Sequence, residues 1–149
     1  MKAMGIDSST SCTGWAILDT ENNEVIAWGC IKPPSKWNTI KKIIHIAEEL
    51  KAIYREYEPE YINIEEVVVV RNAQTQRMLT ALLYHIVIEF TKENAFIKTI
   101  RPTVWRKGKV NGKNRRELKA AAIKYVYDKY DKLANDDIAD AIVIAEYNA

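Results

Sequence analysis

Four acidic side chains stand in otherwise apolar surroundings, where a lone carboxylate is costly to bury. Asp7 and Glu65 each end an apolar segment with the character of a β-strand. Asp137 and Asp140 lie three residues apart among alanines and isoleucines, so that on a helix they would share one face. Such acids need a compensating charge, and a bound divalent cation would supply it.

The chemistry of this donor set points to hard metal ions. Oxygen-only ligands suit Mg²⁺ or Mn²⁺ rather than zinc. Two such ions about 3.5–4 Å apart can activate a water and stabilise the leaving oxygen of a phosphodiester. The acids therefore predict a nuclease site holding two Mg²⁺ ions, for which Mn²⁺ can substitute.

Each acid taken alone also has an ordinary structural explanation. Asp7 could begin a turn, and Glu65 could pair with a neighbouring lysine. Asp136 and Asp137 could be first-turn acids that complement a helix dipole. Glu66 should face away from Glu65, because side chains alternate along a strand. The combined placement at a strand end, in a central strand and on the last helix favours a shared metal site.

Hydrophobic patterning places these acids on an α/β framework. Strands are predicted over residues 2–7, 14–19, 24–31, 61–70 and 95–100. Helices are predicted over residues 38–57, 72–94, 115–130 and 136–147, from apolar positions that recur at three- and four-residue spacing. Residues 106–114, rich in glycine and cations, are expected to form a mobile loop. This order predicts one domain over residues 1–149, with a central mixed five-stranded sheet flanked by helices.

Charge is distributed unevenly along the chain, although the net charge is only +2. Residues 98–132 contain twelve Lys or Arg against three Asp or Glu, a balance of +9 that leaves −7 for the rest. A basic segment beside an acidic remainder suits a protein that binds a polyanion and holds cations. Solvated helix faces would explain the same asymmetry.

Other classes of protein are disfavoured by the sequence. No apolar run approaches the ~20 residues of a membrane span, and no signal peptide is recognisable. We therefore expect a cytoplasmic protein without membrane contact. Cys12 and Cys30 are too few and too isolated for a disulfide framework or a zinc site, so two reduced thiols are expected.

Three segments resemble one known family. Residues 5–15, Gly-Ile-Asp-Ser-Ser-Thr-Ser-Cys-Thr-Gly-Trp, resemble the opening motif of the RuvC-type Holliday-junction resolvases. Residues 64–67 and 71–73 resemble that family's central strand and the start of its long helix. Residues 137–141, Asp-Ile-Ala-Asp-Ala, resemble its closing motif. The resemblance implies an α/β protein of the RNase H-like fold.

The resemblance also implies the activity and its residues. The four metal ligands would be Asp7, Glu65, Asp137 and Asp140. A homodimer would make paired nicks in a four-way junction or other branched DNA, inside a bacterial or phage-infected cell. The short Lys-, Ile- and Asn-rich chain indicates a phage or prophage member. A catalytic cation is implied near the third long helix, where Arg115 fits best by helical phase and Lys113 comes next. The family's base-stacking aromatic residue is replaced here by the valines of residues 67–70.

DNA contacts are expected in the basic segment and at the start of the long helix. The predicted residues are Arg71, Asn72, Arg77, Arg106, Lys107, Lys109, Lys113, Arg115 and Arg116. Simple helix capping is the alternative explanation at Asn72. The helix over residues 72–94 is apolar on more than one face, which fits either a C₂ dimer or core burial. Trp105 is the one tryptophan considered for base stacking.

Two other functions use the same residues. An RNase H-like ribonuclease acting in RNA processing would need the same acids and metals. A non-catalytic protein that binds branched DNA is the second, and four intact carboxylates disfavour it.

Overall fold

A five-stranded mixed sheet forms the centre of the molecule, in a computed structural model that describes residues 1–148. The strands are β1 (Lys2–Asp7), β2 (Thr13–Asp19), β3 (Glu24–Ile31), β4 (Tyr61–Glu65) and β5 (Ile97–Ile100). Their order in the sheet is β3-β2-β1-β4-β5. The first three strands are antiparallel hairpin strands, and β4 and β5 continue the sheet in parallel with β1. The predicted mixed sheet is confirmed.

Helices cover both faces of this sheet. They are α1 (Thr39–Tyr57), α2 (Ala73–Lys92), α3 (Pro102–Arg106), α4 (Arg115–Tyr130) and α5 (Asp136–Glu146). Side chains alternate across a strand, so Met4 and Ile6 pack with α1 and α2, whereas Ala3 packs with α4 and α5. No helix among residues 1–148 has the length and apolar character of a membrane span.

Strand β4 is shorter than predicted, because it ends at Glu65 rather than Val70. The neighbouring β5 ends at Ile100, and Pro102 then begins α3, so the valines have no strand to pair with. The side chains of Val68 and Val69 are instead 51% and 93% exposed. Apolar character alone therefore overestimated the strand.

The predicted loop before α4 is also more ordered than expected. Residues 102–106 form the short helix α3, which the sequence did not predict. The backbone N–H groups of Lys109 and Val110 both donate to the carbonyl of Arg106, at 2.9 Å, and the Val110 side chain is buried. The loop is therefore anchored at Val110, although Lys107 and Lys113 remain exposed.

Two glycines allow α5 to lie directly on the sheet. A Cβ atom at Gly5 would lie 1.9 Å from the carbonyl oxygen of Ala141, and one at Gly14 would lie 2.3 Å from that of Asp137. Any larger side chain would push the helix away from β1 and β2. These contacts set the position of the first turn of α5 relative to the end of β1.

Candidate active site

Parallel pairing brings Asp7 and Glu65 to the same edge of the sheet. Ile6 pairs with Ile64 across β1 and β4, so the two acids follow at the same level. They also share a face, because Gly5 and Asn63, two residues earlier in each strand, both contact α5. The strand-end acids therefore project toward the helix that carries the other pair.

Helix α5 supplies the remaining acids from its first turns. The Asn135 side chain caps the helix by accepting from the backbone N–H of Ile138 at 2.9 Å. Asp136, Asp137 and Asp140 then line the same cleft as Asp7 and Glu65, a space of about 690 Å³. The four predicted metal ligands, distant in sequence, thus share one cavity.

The electrostatics of the cleft favour a bound cation. Burial raises the pKa of Asp7 well above its ordinary value, and the neighbouring Glu65, Asp140 and Asp137 raise it further. Burial, followed by repulsion from Glu65, raises the pKa of Asp140 to about 7. Burial also raises the pKa of Glu65. A divalent cation removes this penalty, and the all-oxygen donor set fits Mg²⁺ or Mn²⁺.

The acids are spread across the cleft rather than gathered around one point. Within residues 1–148, no three oxygens from different members of this carboxylate group lie within 4.8 Å of one another. A closed single-ion site would bring its ligand atoms closer together than this. The described side chains therefore do not form a closed cage around a single ion.

Trp105 has a role that the sequence did not reveal. Its side chain is 1% exposed, so Trp105 is a core residue and is not available to stack on bases. Its indole Nε1–H donates to Glu65 Oε2 at 2.8 Å, which opposes the rise in the pKa of Glu65. A buried tryptophan needs a hydrogen-bond acceptor, and that requirement was the available signal. Trp105 therefore fixes the orientation of the Glu65 side chain through this hydrogen bond.

Arg106 lies beside the same glutamate. Its guanidinium lies 4.9 Å from the Trp105 ring, and its charge lowers the pKa of both Glu65 and Asp140. Its buried Nε has no hydrogen-bond partner among the described residues. Predicted as a DNA contact, Arg106 occupies the cleft wall, where it partly balances the acids.

Removal of the indole donor should weaken metal binding without unfolding the protein. Trp105→Phe keeps an aromatic ring in the core but leaves Glu65 Oε2 without its N–H donor. Losing such an outer hydrogen bond typically costs about 10–100-fold in metal affinity. A Mg²⁺ titration of nuclease activity, with circular dichroism to confirm the fold, measures this loss. Trp28→Phe is the matched control, because Trp28 is 42% exposed on β3. Equal Mg²⁺ requirements in both variants would contradict a role for Trp105.

The other predicted cations take different positions. Arg115 lines the cleft at the start of α4, together with Lys119, whose Nζ lies 3.1 Å from Asp136 Oδ2. Lys113 is exposed and does not line the cleft. Lys109 Nζ lies 3.4 Å from Glu146 Oε2, so part of its charge is already neutralised. The exposed cations Lys107 and Arg116 remain at the surface.

The start of α2 combines capping with exposed charge. Asn72 Oδ1 accepts from the backbone N–H groups of Gln74 and Thr75, at 2.9 and 3.1 Å, which is the capping alternative left open by the sequence. Arg71 and Arg77 are exposed. Glu66 lies outside the carboxylate cleft, with its Oε2 3.5 Å from Arg101 Nε.

Known proteins share both this sequence pattern and this fold. The family model of the crossover junction endodeoxyribonuclease RuvC matches residues 3–147. A crossover junction endodeoxyribonuclease RuvC of Sphingopyxis alaskensis is 26% identical over 147 residues, covering 97% of this chain and 94% of the relative.

Two solved structures show the same architecture. The RuvC of Thermus thermophilus in complex with a Holliday-junction substrate has a TM-score of 0.80 at 13% identity, covering 97% of this chain and 90% of the other. The Fowlpox virus resolvase in complex with Holliday-junction DNA has a TM-score of 0.63 at 17% identity, with 97% and 94% covered. These likenesses establish the RNase H-like fold.

Proposed function

The chain belongs to the family of the crossover junction endodeoxyribonuclease RuvC, and we propose that it resolves four-way and other branched DNA by hydrolysing phosphodiester bonds. The observation that carries this proposal is the convergence of Asp7, Glu65, Asp137 and Asp140 on one cleft. A metal-assisted hydrolase needs such a set, whereas a binding scaffold gains nothing from repelling acids.

The family implies a nuclease that depends on divalent metal, and we propose two Mg²⁺ ions, with Mn²⁺ as a substitute. When bound, the ions would supply a water of lowered pKa and stabilise the charge on the leaving oxygen. The four acids would hold them, and Trp105 would keep Glu65 in place. Arg115 would contact the phosphate that enters the cleft, because its side chain lines the open wall.

The cations on the outer surface would bind the arms of the junction. Arg71, Arg77, Lys107, Lys113 and Arg116 are exposed and can reach phosphates without unfolding. Contacts of this kind give salt-dependent affinity with little sequence information. We place this activity in the cytoplasm, and the Lys-, Ile- and Asn-rich composition supports a phage or prophage source.

Neutralising Arg115 should reduce turnover more than neutralising a cation outside the cleft. We expect Arg115→Gln to lower the single-turnover cleavage rate about 10²–10³-fold, as the loss of one charge-stabilising donor does. Arg116→Gln is the matched control, since this exposed neighbour does not line the cleft. Lys113→Gln should act on binding, with a loss that shrinks as salt rises. Equal cleavage rates for the Arg115 and Arg116 variants would remove Arg115 from the mechanism.

We further propose a homodimer through α2. This helix buries Leu82, Leu83 and Ile86 against the sheet, while Tyr84 and Ile88 are each 56% exposed on its outer side. Core burial therefore accounts for the inner face, and the proposed dimer contact would account for the outer one. A two-fold pairing of the outer faces would give two clefts per complex, as paired nicking requires.

A charge on this outer face should dissociate the dimer. We expect Ile88→Glu to convert the protein to a monomer that nicks one strand of a junction without coordinated cleavage of the opposing strand. Sedimentation equilibrium measures the oligomeric state. Ile40→Glu, on an isoleucine of α1 that is 67% exposed, is the matched control and should leave the dimer intact. Dissociation by both variants, or by neither, would argue against α2 as the interface.

A panel of nucleic-acid substrates tests the proposed activity. The protein is incubated in Mg²⁺ with synthetic four-way, three-way, flap and linear duplex DNA, and with an RNA–DNA hybrid. Paired symmetric nicks in the four-way junction support a resolvase, and cleavage of several branched DNAs indicates a broader branch-specific nuclease. Preferential cleavage of the hybrid would instead favour the ribonuclease alternative. Binding without cleavage would favour the scaffold.

A further inference from the structure

Two cysteines distant in sequence meet beside the carboxylate cleft. Cys12 precedes β2 and Cys30 is near the end of the adjacent β3, where it pairs with Gly14. Asp137, in the first turn of α5, lies against Gly14 from above the sheet. The two sulfur atoms and one Asp137 oxygen all lie within 4.8 Å of one another. Both cysteines are free thiols, as expected, but they are not isolated from each other in the folded molecule.

The dimensions of this group suit a tetrahedral metal ion. Zinc binds sulfur at ~2.3 Å and carboxylate oxygen at ~2.0–2.2 Å, which places neighbouring ligand atoms about 3.5–3.8 Å apart. The three ligand atoms lie within 4.8 Å of one another, so bringing them to that spacing requires movements of only about 1 Å. All three residues are half-buried, so an ion can reach them from solvent while the surrounding strands hold their backbones.

The donor chemistry selects a different cation from the one proposed for catalysis. Two thiols bind soft or borderline ions such as Zn²⁺, Cd²⁺ and Co²⁺, and disfavour Mg²⁺. The fourth position of a tetrahedral ion can be filled by water. The group is the only trio of His, Cys, Asp or Glu ligand atoms within 4.8 Å across residues 1–148.

We propose that Cys12, Cys30 and Asp137 form a binding site for a thiophilic divalent cation such as Zn²⁺, and that its occupation inhibits the nuclease. Asp137 belongs to both groups, since it lines the carboxylate cleft and contacts the thiols. An ion held by the sulfurs draws this carboxylate away from the acids that hold Mg²⁺. The cation site depends only on the geometry of the three residues, whereas the inhibition rests on the proposed function.

Cobalt provides a direct measurement of the site. Co²⁺ is titrated into the full chain in the absence of DNA, with the thiols kept reduced by a phosphine. We expect a near-ultraviolet absorption band from sulfur-to-cobalt charge transfer. Added Zn²⁺ should abolish this band by displacing the bound Co²⁺. Cys12→Ser and Cys30→Ser should each weaken binding by about tenfold or more. Asp140→Asn leaves the three ligands in place and should keep the absorption.

A second measurement separates the two halves of the proposal. Junction cleavage is followed in excess Mg²⁺ as Zn²⁺ is added, and Cys12→Ser should need about tenfold more Zn²⁺ for half-inhibition. No cobalt absorption in the wild-type protein, or equal absorption in the serine variants, overturns the site. Cobalt binding with equal zinc sensitivity in wild type and Cys12→Ser overturns the inhibition. Cobalt binding by a chain that cuts no substrate leaves the site standing and refutes the proposed nuclease.

Discussion

Replacing Asp7 by asparagine is expected to lower the rate of junction cleavage about 10³-fold or more while leaving junction binding intact. The variant loses a charged ligand at the centre of the cleft, where metal ions would supply several kcal/mol of transition-state stabilisation, and each ~1.4 kcal/mol is tenfold in rate. Binding depends on surface cations that the substitution does not touch. It should be unchanged or slightly stronger, because one negative charge facing the DNA is removed.

The loss cannot be attributed to unfolding, because Asp7→Asn should not destabilise the chain. Burial and four neighbouring acids raise the pKa of Asp7, so its ionised form is unfavourable in the folded state without metal. Single-turnover cleavage, gel-shift binding and thermal unfolding measure the three properties. Asp19→Asn is the matched control, since Asp19 also ends a strand but lies outside the cleft. Full Mg²⁺-dependent cleavage by Asp7→Asn would refute the site.

Asp140→Asn is expected to stabilise the metal-free protein at pH 8 by about 1–3 kcal/mol while abolishing nicking. The pKa of Asp140 rises from 3.8 to about 7 in the fold. Between these values the folded state binds more protons than the unfolded chain. The contribution of Asp140 to stability is therefore full below about pH 4 and is lost as the pH rises through about 7.

Thermal unfolding in a chelator across this pH range measures the effect. The wild-type protein should lose several degrees in Tm between pH 5 and pH 8, and Asp140→Asn should lose less. Mg²⁺ should restore wild-type stability at pH 8, because ligand binding favours the folded state, and should affect the variant little. The control is Asp128→Asn, an exposed aspartate of α4 paired with Lys124. A pH dependence unchanged in Asp140→Asn would show that this carboxyl titrates normally.

Local patterns in the sequence were sufficient for most of the framework. Apolar periodicity placed four of the five helices, and the asparagines Asn38, Asn72, Asn114 and Asn135 each cap the helix that follows. Such signals act between residues a few positions apart, so they survive without knowledge of the fold. The acids were recognised for a related reason, since a carboxylate in an apolar segment is conspicuous before its partners are known.

Features that depend on contacts between residues distant in sequence could be identified only from the tertiary structure. The end of β4 depends on where β5 stops, and the role of Trp105 depends on an acceptor 40 residues away. Neither the end of β4 nor the hydrogen bond of Trp105 can be read from the apolar periodicity of the segment that contains it. Long-range pairing is set by strand register and by the packing of helices on the sheet.

The sequence alone singled out four acids, Asp7, Glu65, Asp137 and Asp140, as candidate metal ligands and predicted the elements on which they lie. Only the tertiary structure decided that Asp137 is shared between the acidic cleft and the pair Cys12 and Cys30. The physical reason is the close approach of α5 to the sheet at Gly5 and Gly14, which sets where the first turn of the helix lies. That position is a property of the packed molecule, because it arises from the absence of side chains at two points remote in sequence from the helix.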